Sequence, residues 1–423
     1  MEQRRKEVVT FSWPTVAMGS GAGLRTKASS PALCLLCDMV KEGTTDGAWH
    51  GHGRDEVTIT AVSTVVPALP VHEHRLPLSN LDLLLPPMDV GVVFFYADPG
   101  DRNHHPAAVL KVALAKTLVA YYPLAGEVVA NAAGEPELLC SSRGVDVAEA
   151  TADGTALRDL RLGLPDKSID PLVPKKKAGV MSVQVTKFKC GGAVVGCTFD
   201  HRICDAYSFN MFLVAWAAAA RGGSAPPAPS FHRSFLAPRE PAPLSTASNL
   251  VDRLFVPLSR VPALPDTAAV NRIYRVSAAD VAALQASAGS GRTKLEAFTA
   301  HLWQLYAKAA ADTWRQPLSC CMGVVVDGRT RLRGNGNEDA MACVVSSGMG
   351  LPVGEVHFGW GRPAFASYHF PWPGGAGYVM PMPSARGDGD WVVYVHAAPE
   401  VVEVMEPEPT TVFRALEGSD IFG

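Results

Sequence analysis

The 423-residue chain contains no apolar run long enough to cross a bilayer. Its longest, Met211–Ala220, stops at Arg221, far short of the roughly 20 residues a spanning helix needs. A secretory leader is not expected either, because the charged opening "MEQRRK" precedes no continuous apolar segment. Asn-x-Ser/Thr sequons are absent, which withholds support from a secreted location. A net charge of only −3 leaves no electrostatic footprint for nucleic acid or an acidic membrane surface. The Gly-x-Ser-x-Gly elbow of serine hydrolases is missing. So is a second Cys-x-x-Cys pair to complement Cys34 and Cys37, which argues against zinc and for ordinary packing. Nine cysteines, most of them single within apolar stretches, read as reduced thiols of a cytoplasmic protein. Two His-x-His pairs, His50/His52 and His72/His74, sit on no recognisable metal-ligand scaffold, so no metal is expected.

What is present is a large apolar fraction, 48% of residues, enough for a core of two-domain size. Residues 1–55 lack strand or helix periodicity and read as a disordered or atypical extension. Strand alternation begins at "EVTITAVSTVV", with Val57, Ile59 and Ala61 expected on a half-buried face. "PAAVLKVALAKTLVA" has helical spacing and is broken at Tyr122-Pro123. "MSVQVTKFKCGGAVVGCTFD" is strand-rich and precedes the apolar helix of "CDAYSFNMFLVAWAAAARGG". The Pro/Ser/Ala-rich run that follows supplies the best linker, 229–248. A second α/β unit begins beyond it. "NRIYRVS" reads as a strand, and "TKLEAFTAHLWQLYAKAAA" as a helix with capping-box spacing at Thr293 and Glu296. "SCCMGVVVDG" reads as a further strand, and "WVVYVHAAPEVVEVMEP" as a strand followed by a short helix.

The chemistry-bearing stretch is "CTFDHRICDAYSF", where His201 lies between an apolar strand and a helix. A general base needs a neutral imidazole within reach of the proton it removes, and a strand-to-helix junction exposes such a group. Asp205, four residues on, has an equally simple explanation as a helix N-cap worth about 1 kcal/mol. The spacing alone leaves both readings open.

Around that stretch the sequence resembles the plant BAHD acyl-CoA-dependent acyltransferases. Beside "HRICDAYSFNMFLVAWAAAARGG", the matching segments in order are "LPLSNLDLLLPP", "YYPLAGEV", "GVDVAEA", "VQVTKFKCGG", "FHRSFLAPREP", "KLEAFTAHLWQLYAKA", "VVVDGRTRL", "HFGWGRP" and "GDGDWVVYV". They span most of residues 56–405 and look most like the hydroxycinnamoyltransferase-like branch that includes coniferyl alcohol acyltransferases. The resemblance implies two chloramphenicol-acetyltransferase-like α/β domains with mixed sheets and flanking helices, joined by a crossover loop. Residues 56–228 plus 357–383 would form the first domain, and 249–356 plus 384–415 a shortened second one.

It further implies that His201 deprotonates the acceptor hydroxyl or amine, a phenylpropanoid alcohol by that likeness. The acceptor then attacks an acyl-CoA co-substrate directly, with no bound cofactor, in a monomer. Asp205 is structural in the family and would pair with Arg329, with Arg331 as the alternative. Ser346 and Ser347 match the oxyanion element, but Gly348 stands where the family usually has Trp. The family's "DFGWG" loop reads "HFGWG", so Phe358, Gly359, Trp360 and Gly361 would shape the fold and the CoA channel behind His357. Ala206 replaces the usual Gly of the His-x-x-x-Asp-Gly signature, and the stretch between "VDGR" and "FGWG" is short. These departures motivate an alternative, a relative that binds CoA or a partner without turnover.

Overall fold

The computed structural model describes residues 57–79, 82, 85, 87–97, 106–132, 134, 136–224, 226–231, 269–313, 320–325, 341–371, 377–407 and 411–423. The extension 1–55, most of the linker 229–248, Arg329 and Arg331 lie outside the described residues.

The first sheet is mixed and six-stranded, in the order β1-β6-β7-β8-β3-β12. Its strands are β1 (Thr58–Val65), β3 (Asp89–Tyr96), β6 (Val145–Ala152), β7 (Met181–Phe188), β8 (Ala193–Asp200) and β12 (Phe365–His369). β3 and β8 are nearly continuous apolar runs, the pattern of strands buried on both faces, and they pair antiparallel at the heart of the core. Helices α1 (Pro106–Ala120) and α2 (Ala206–Ala220) pack against each other here; Trp216 of α2 donates its indole N–H to the Leu110 carbonyl at 2.9 Å. A three-stranded sheet of β2 (His74–Pro77), β5 (Pro136–Cys140) and β4 (Glu127–Ala130) completes this unit.

The second mixed sheet runs β10-β11-β13-β14-β9-β15. It is built from β9 (Val270–Val276), β10 (Cys320–Val325), β11 (Met341–Ser346), β13 (Gly377–Pro383), β14 (Trp391–Ala397) and β15 (Arg414–Ala415). Helices α3 (Ala278–Ser287), α4 (Lys294–Thr313) and α5 (Pro399–Met405) cover one face. The α4 capping box forms as its spacing predicts: Thr293 N–H donates to Glu296 at 2.6 Å, and Glu296 N–H to the Thr293 hydroxyl at 3.2 Å. Strand alternation divides this sheet between two cores. Val345, Val379, Val393 and Val395 join the helices, whereas Val344, Tyr378, Met380, Val392 and Tyr394 face the first unit.

Two expectations need correction. The resemblance places residues 357–383 together in the first domain, and β12 does pair with β3. β13 instead pairs with β11 and β14, because the chain crosses back to the second sheet after β12. The expected half-buried face of β1 is also absent. β1 is an edge strand whose register shifts between Ile59 and Ala61, leaving Ile59 48% and Val62 66% exposed.

Segment 169–174 crosses the face of the first sheet at Gly196. A methyl group there would lie 2.0 Å from the Leu172 carbonyl oxygen, so only glycine lets the chain approach so closely. Gln184 Nε2 donates to the Pro171 carbonyl at 2.9 Å, and the Thr198 hydroxyl to that of Pro174 at 2.5 Å. Gly196→Ala is therefore expected to cost on the order of 1–3 kcal/mol, read as a lowered thermal midpoint; an unchanged midpoint would refute the close packing.

His369, at the end of β12, buries Nε2 with no hydrogen-bond partner among the described residues, and desolvation pulls its pKa down to about 4. A folded value below the unfolded one, ~6.5, means that its neutral form favours folding above pH 6.5. That contribution is lost as pH falls from 6.5 toward 4. Between pH 7 and 5 the wild type should lose on the order of 2 kcal/mol more than His369→Phe in urea unfolding. Equal losses would show that the imidazole is not desolvated.

Candidate active site

His201 follows the last residue of β8, and its backbone N–H donates to the Met88 carbonyl at 3.0 Å. The preceding Asp200 is only 5% exposed and is neutralised by Arg202, whose Nη2 approaches its carboxylate at 2.6 Å. Arg202 also gives Asp200 its backbone N–H and Nε, each at 3.0 Å. The turn out of the strand is thus held by a charge pair, and the imidazole leaves it at a defined angle.

The ring itself has a settled tautomer. Nδ1 lies 3.0 Å from the Cys204 carbonyl oxygen. A carbonyl can only accept, so Nδ1 carries the proton and Nε2 of the neutral ring keeps its lone pair. Burial lowers the imidazole pKa below its ordinary value, against the opposing pull of the Cys204 carbonyl, Asp205 and Asp200. Desolvation wins, and the ring is neutral near pH 7. The neighbouring Cys204 is pushed the other way: burial and three carboxylates hold it as a thiol, which makes it a poor nucleophile.

Asp205 is the N-cap of α2, its Oδ1 accepting from Ser208 N–H at 2.8 Å. The capping reading of this carboxylate is therefore satisfied. Its expected partner Arg329 lies outside the described residues.

Ser346 ends β11, on the opposite sheet, yet two aromatic rings bring it into line with His201. Phe370 sets its ring perpendicular to the imidazole at 4.8 Å and 88°, and stacks on Tyr378 at 4.4 Å and 18°. The Tyr378 hydroxyl donates to the Met380 sulfur at 3.6 Å and lies near Ser346, whose side chain opposes the upward push of burial on the Tyr378 pKa. Ser347 instead braces a turn, its hydroxyl accepting from Met349 N–H at 3.4 Å. Gly348 is buried, and a Cβ there would meet Met382 Cγ at 2.5 Å and Met380 Cε at 3.0 Å. The space beside this glycine is occupied by two thioether side chains.

The loop 357–361 lies elsewhere. Phe358 and Trp360 pack around Tyr96, at 6.0 and 5.3 Å between ring centroids, and Phe358 meets Trp216 at 4.9 Å. Trp216 is ten residues into α2, which puts this cluster about 15 Å along the helix from the His201 end. Gly359 and Gly361 adopt φ of +102° and +83°, conformations that a side chain would strain. His357, where the resemblance leads one to expect Asp, gives its carbonyl to Arg221. Partial burial, Arg221 and Arg362 all lower the pKa of its imidazole, so it adds no positive charge beside them.

Sequence reading misses Phe370, which touches His201, and Tyr378, Tyr394 and Asn271, which link Phe370 to the second sheet. No spacing rule connects positions so far apart; only the aromatic "YHFPW" marks the neighbourhood. No group of three or more His, Cys, Asp or Glu side chains able to hold a metal ion occurs among the described residues. No described helix is long and apolar enough to cross a membrane.

The profile described as the Transferase family matches residues 55–341 and 334–411. Hydroxycinnamoyl-CoA:5-hydroxyanthranilate N-hydroxycinnamoyltransferase HHT1 of Avena sativa is 26% identical, over 82% of this chain and 98% of its own length. Putrescine hydroxycinnamoyltransferase 1 of Oryza sativa subsp. japonica is 28% identical, over 85% and 97%. Among solved structures, vinorine synthase superposes with a TM-score of 0.64 at 20% identity, covering 86% of this chain and all 100% of its own. That likeness shows the two-domain, chloramphenicol-acetyltransferase-like fold with mixed sheets that the sequence leads one to expect. The family match runs through both sheets, and the chain accordingly belongs to the transferase family of BAHD acyltransferases, enzymes that take an acyl-CoA as co-substrate.

Proposed function

We propose that this protein transfers a hydroxycinnamoyl-type acyl group from its CoA thioester to the hydroxyl or amine of a small plant metabolite, with His201 as general base. The observation that carries the reading is the His201 ring: neutral through burial, with Nδ1–H committed to the Cys204 carbonyl and Nε2 left to accept a proton. In the reaction Nε2 takes the acceptor's proton as its oxygen or nitrogen attacks the thioester carbon. The tetrahedral intermediate collapses by breaking the carbon–sulfur bond, and the imidazolium returns the proton to the CoA thiolate. No acyl-enzyme is needed, in keeping with a Cys204 thiol held protonated.

Ser346 is the oxyanion donor in this reading; such donors are often worth ~10²–10³ in rate. Asp205 braces the start of α2 and, through Arg329, the second domain. The Phe358–Gly361 loop supports the fold at a distance. The acceptor class is supported by relatives named for 5-hydroxyanthranilate, putrescine, agmatine and shikimate, and a phenylpropanoid alcohol remains within it. A monomeric, cytoplasmic enzyme is the form proposed.

The test is to incubate the purified protein with p-coumaroyl-CoA and a panel of those acceptors plus coniferyl alcohol, following product by mass spectrometry. His201→Ala should lower kcat/KM by about 10²–10⁴-fold; a variant as active as the wild type would sink the assignment. Because burial lowers the His201 pKa, activity should persist below pH 6.5 and fall only as pH drops through that lowered value. An acid limb at or above 6.5 would contradict a desolvated base.

A further inference from the structure

The reading of His201 as base leaves unexplained what holds Phe370 against it. Phe370 is the first residue after β12, and its ring contacts both the His201 imidazole and Tyr378. Its backbone N–H donates to the hydroxyl of Tyr394, on β14 of the other sheet, at 3.3 Å. That hydroxyl donates in turn to Oδ1 of Asn271, on β9, at 2.6 Å. The same Oδ1 accepts from His396 Nδ1 at 2.8 Å. On its other side Asn271 Nδ2 donates to the Asp166 carboxylate, which belongs to the single helical turn Pro165–Ser168 of the first unit. Its backbone N–H reaches the other oxygen of that carboxylate at 3.4 Å.

Asn271 is therefore a hub whose amide uses both ends. The donor end grips the first unit at Asp166, and the acceptor end fixes Tyr394, which grips the first unit again at Phe370. From this geometry we infer that Asn271 is a positioning residue for acyl transfer: through Tyr394 it sets Phe370, and Phe370 sets the His201 ring. The inference rests on His201 being the base. An amide is required here because a single side chain must offer a donor to a carboxylate and an acceptor to two donors. A carboxylate at this position would keep the acceptor end, lose the donor end, and face Asp166 with like charge.

This suggests a charge-balanced exchange as the experiment. Wild type, Asn271→Asp, the double variant Asp166→Asn/Asn271→Asp, and Tyr394→Phe are compared for kcat and KM with p-coumaroyl-CoA. The His201 titration midpoint is followed independently by NMR of the histidine ring carbons, with His201→Ala identifying the resonance. The single variants are expected to lose about tenfold or more in kcat with less than threefold change in KM for the donor. Their His201 midpoint should move upward as water reaches a ring no longer covered. The double variant restores both, since it swaps the amide and the carboxylate and so keeps one donor facing one acceptor without like charges.

Singles with kcat and midpoint like those of the wild type would overturn the inference. So would a drop in kcat without a shift in the midpoint, or one the double variant leaves unrepaired, since either marks a merely structural role. If Asn271→Asp does not fold, Tyr394→Phe and the double variant carry the same comparison. An active His201→Ala would instead refute the base reading, while the NMR comparison would still report on the clasp.

Discussion

Burial of β8 on both faces dictates what its C-terminal end can do. Phe199 stacks on Phe209 of α2 at 3.9 Å, and segment 169–174 lies against the sheet at Gly196. Every polar group at the strand end must therefore be neutral or paired. Asp200 meets this by its bidentate contact with Arg202. His201 meets it by remaining uncharged and giving Nδ1–H to a carbonyl. The same desolvation that would otherwise destabilise a polar residue here keeps the imidazole in the form a base requires, and it keeps Cys204 in the form a nucleophile does not. One cause thus separates two adjacent groups that could otherwise compete for the same chemistry.

Much of this is legible along the chain wherever a local signal suffices. The apolar runs of β3 and β8, the N-cap at Asp205, the capping box of α4 and the helix break at Tyr122-Pro123 each depend on neighbours within a few residues. β1 misleads because its alternation is real but faces solvent; periodicity reports which residues share a face, not whether anything covers it. The sheet that takes β13 is hidden for a related reason. "GYVMPMP" has the composition of a buried strand, and strand composition does not name its partners. The residues around His201 are the least legible. Phe370, Tyr378, Tyr394 and Asn271 come from four strands or strand ends, and their meeting is a property of topology alone.

The seam between the sheets has its own logic. Alternation sends every second residue of β13 and β14 toward the first unit, so the inner face of the second sheet is continuous with the first core. Apolar contacts there carry little directional information, whereas the Asp166–Asn271–Tyr394 contacts do. Met380 and Met382 fill the space beside Gly348 with flexible side chains, so the departure from a family tryptophan leaves a packed wall, not a void.

β12 reaches out of the second unit, pairs with β3 over Phe365–His369, and is followed within a few residues by a return to β13. A loan of this kind works like a stitch through two pieces of cloth. The two units cannot hinge apart as a clamshell without tearing a five-residue ladder of hydrogen bonds and exposing Phe365 and Tyr368 to water.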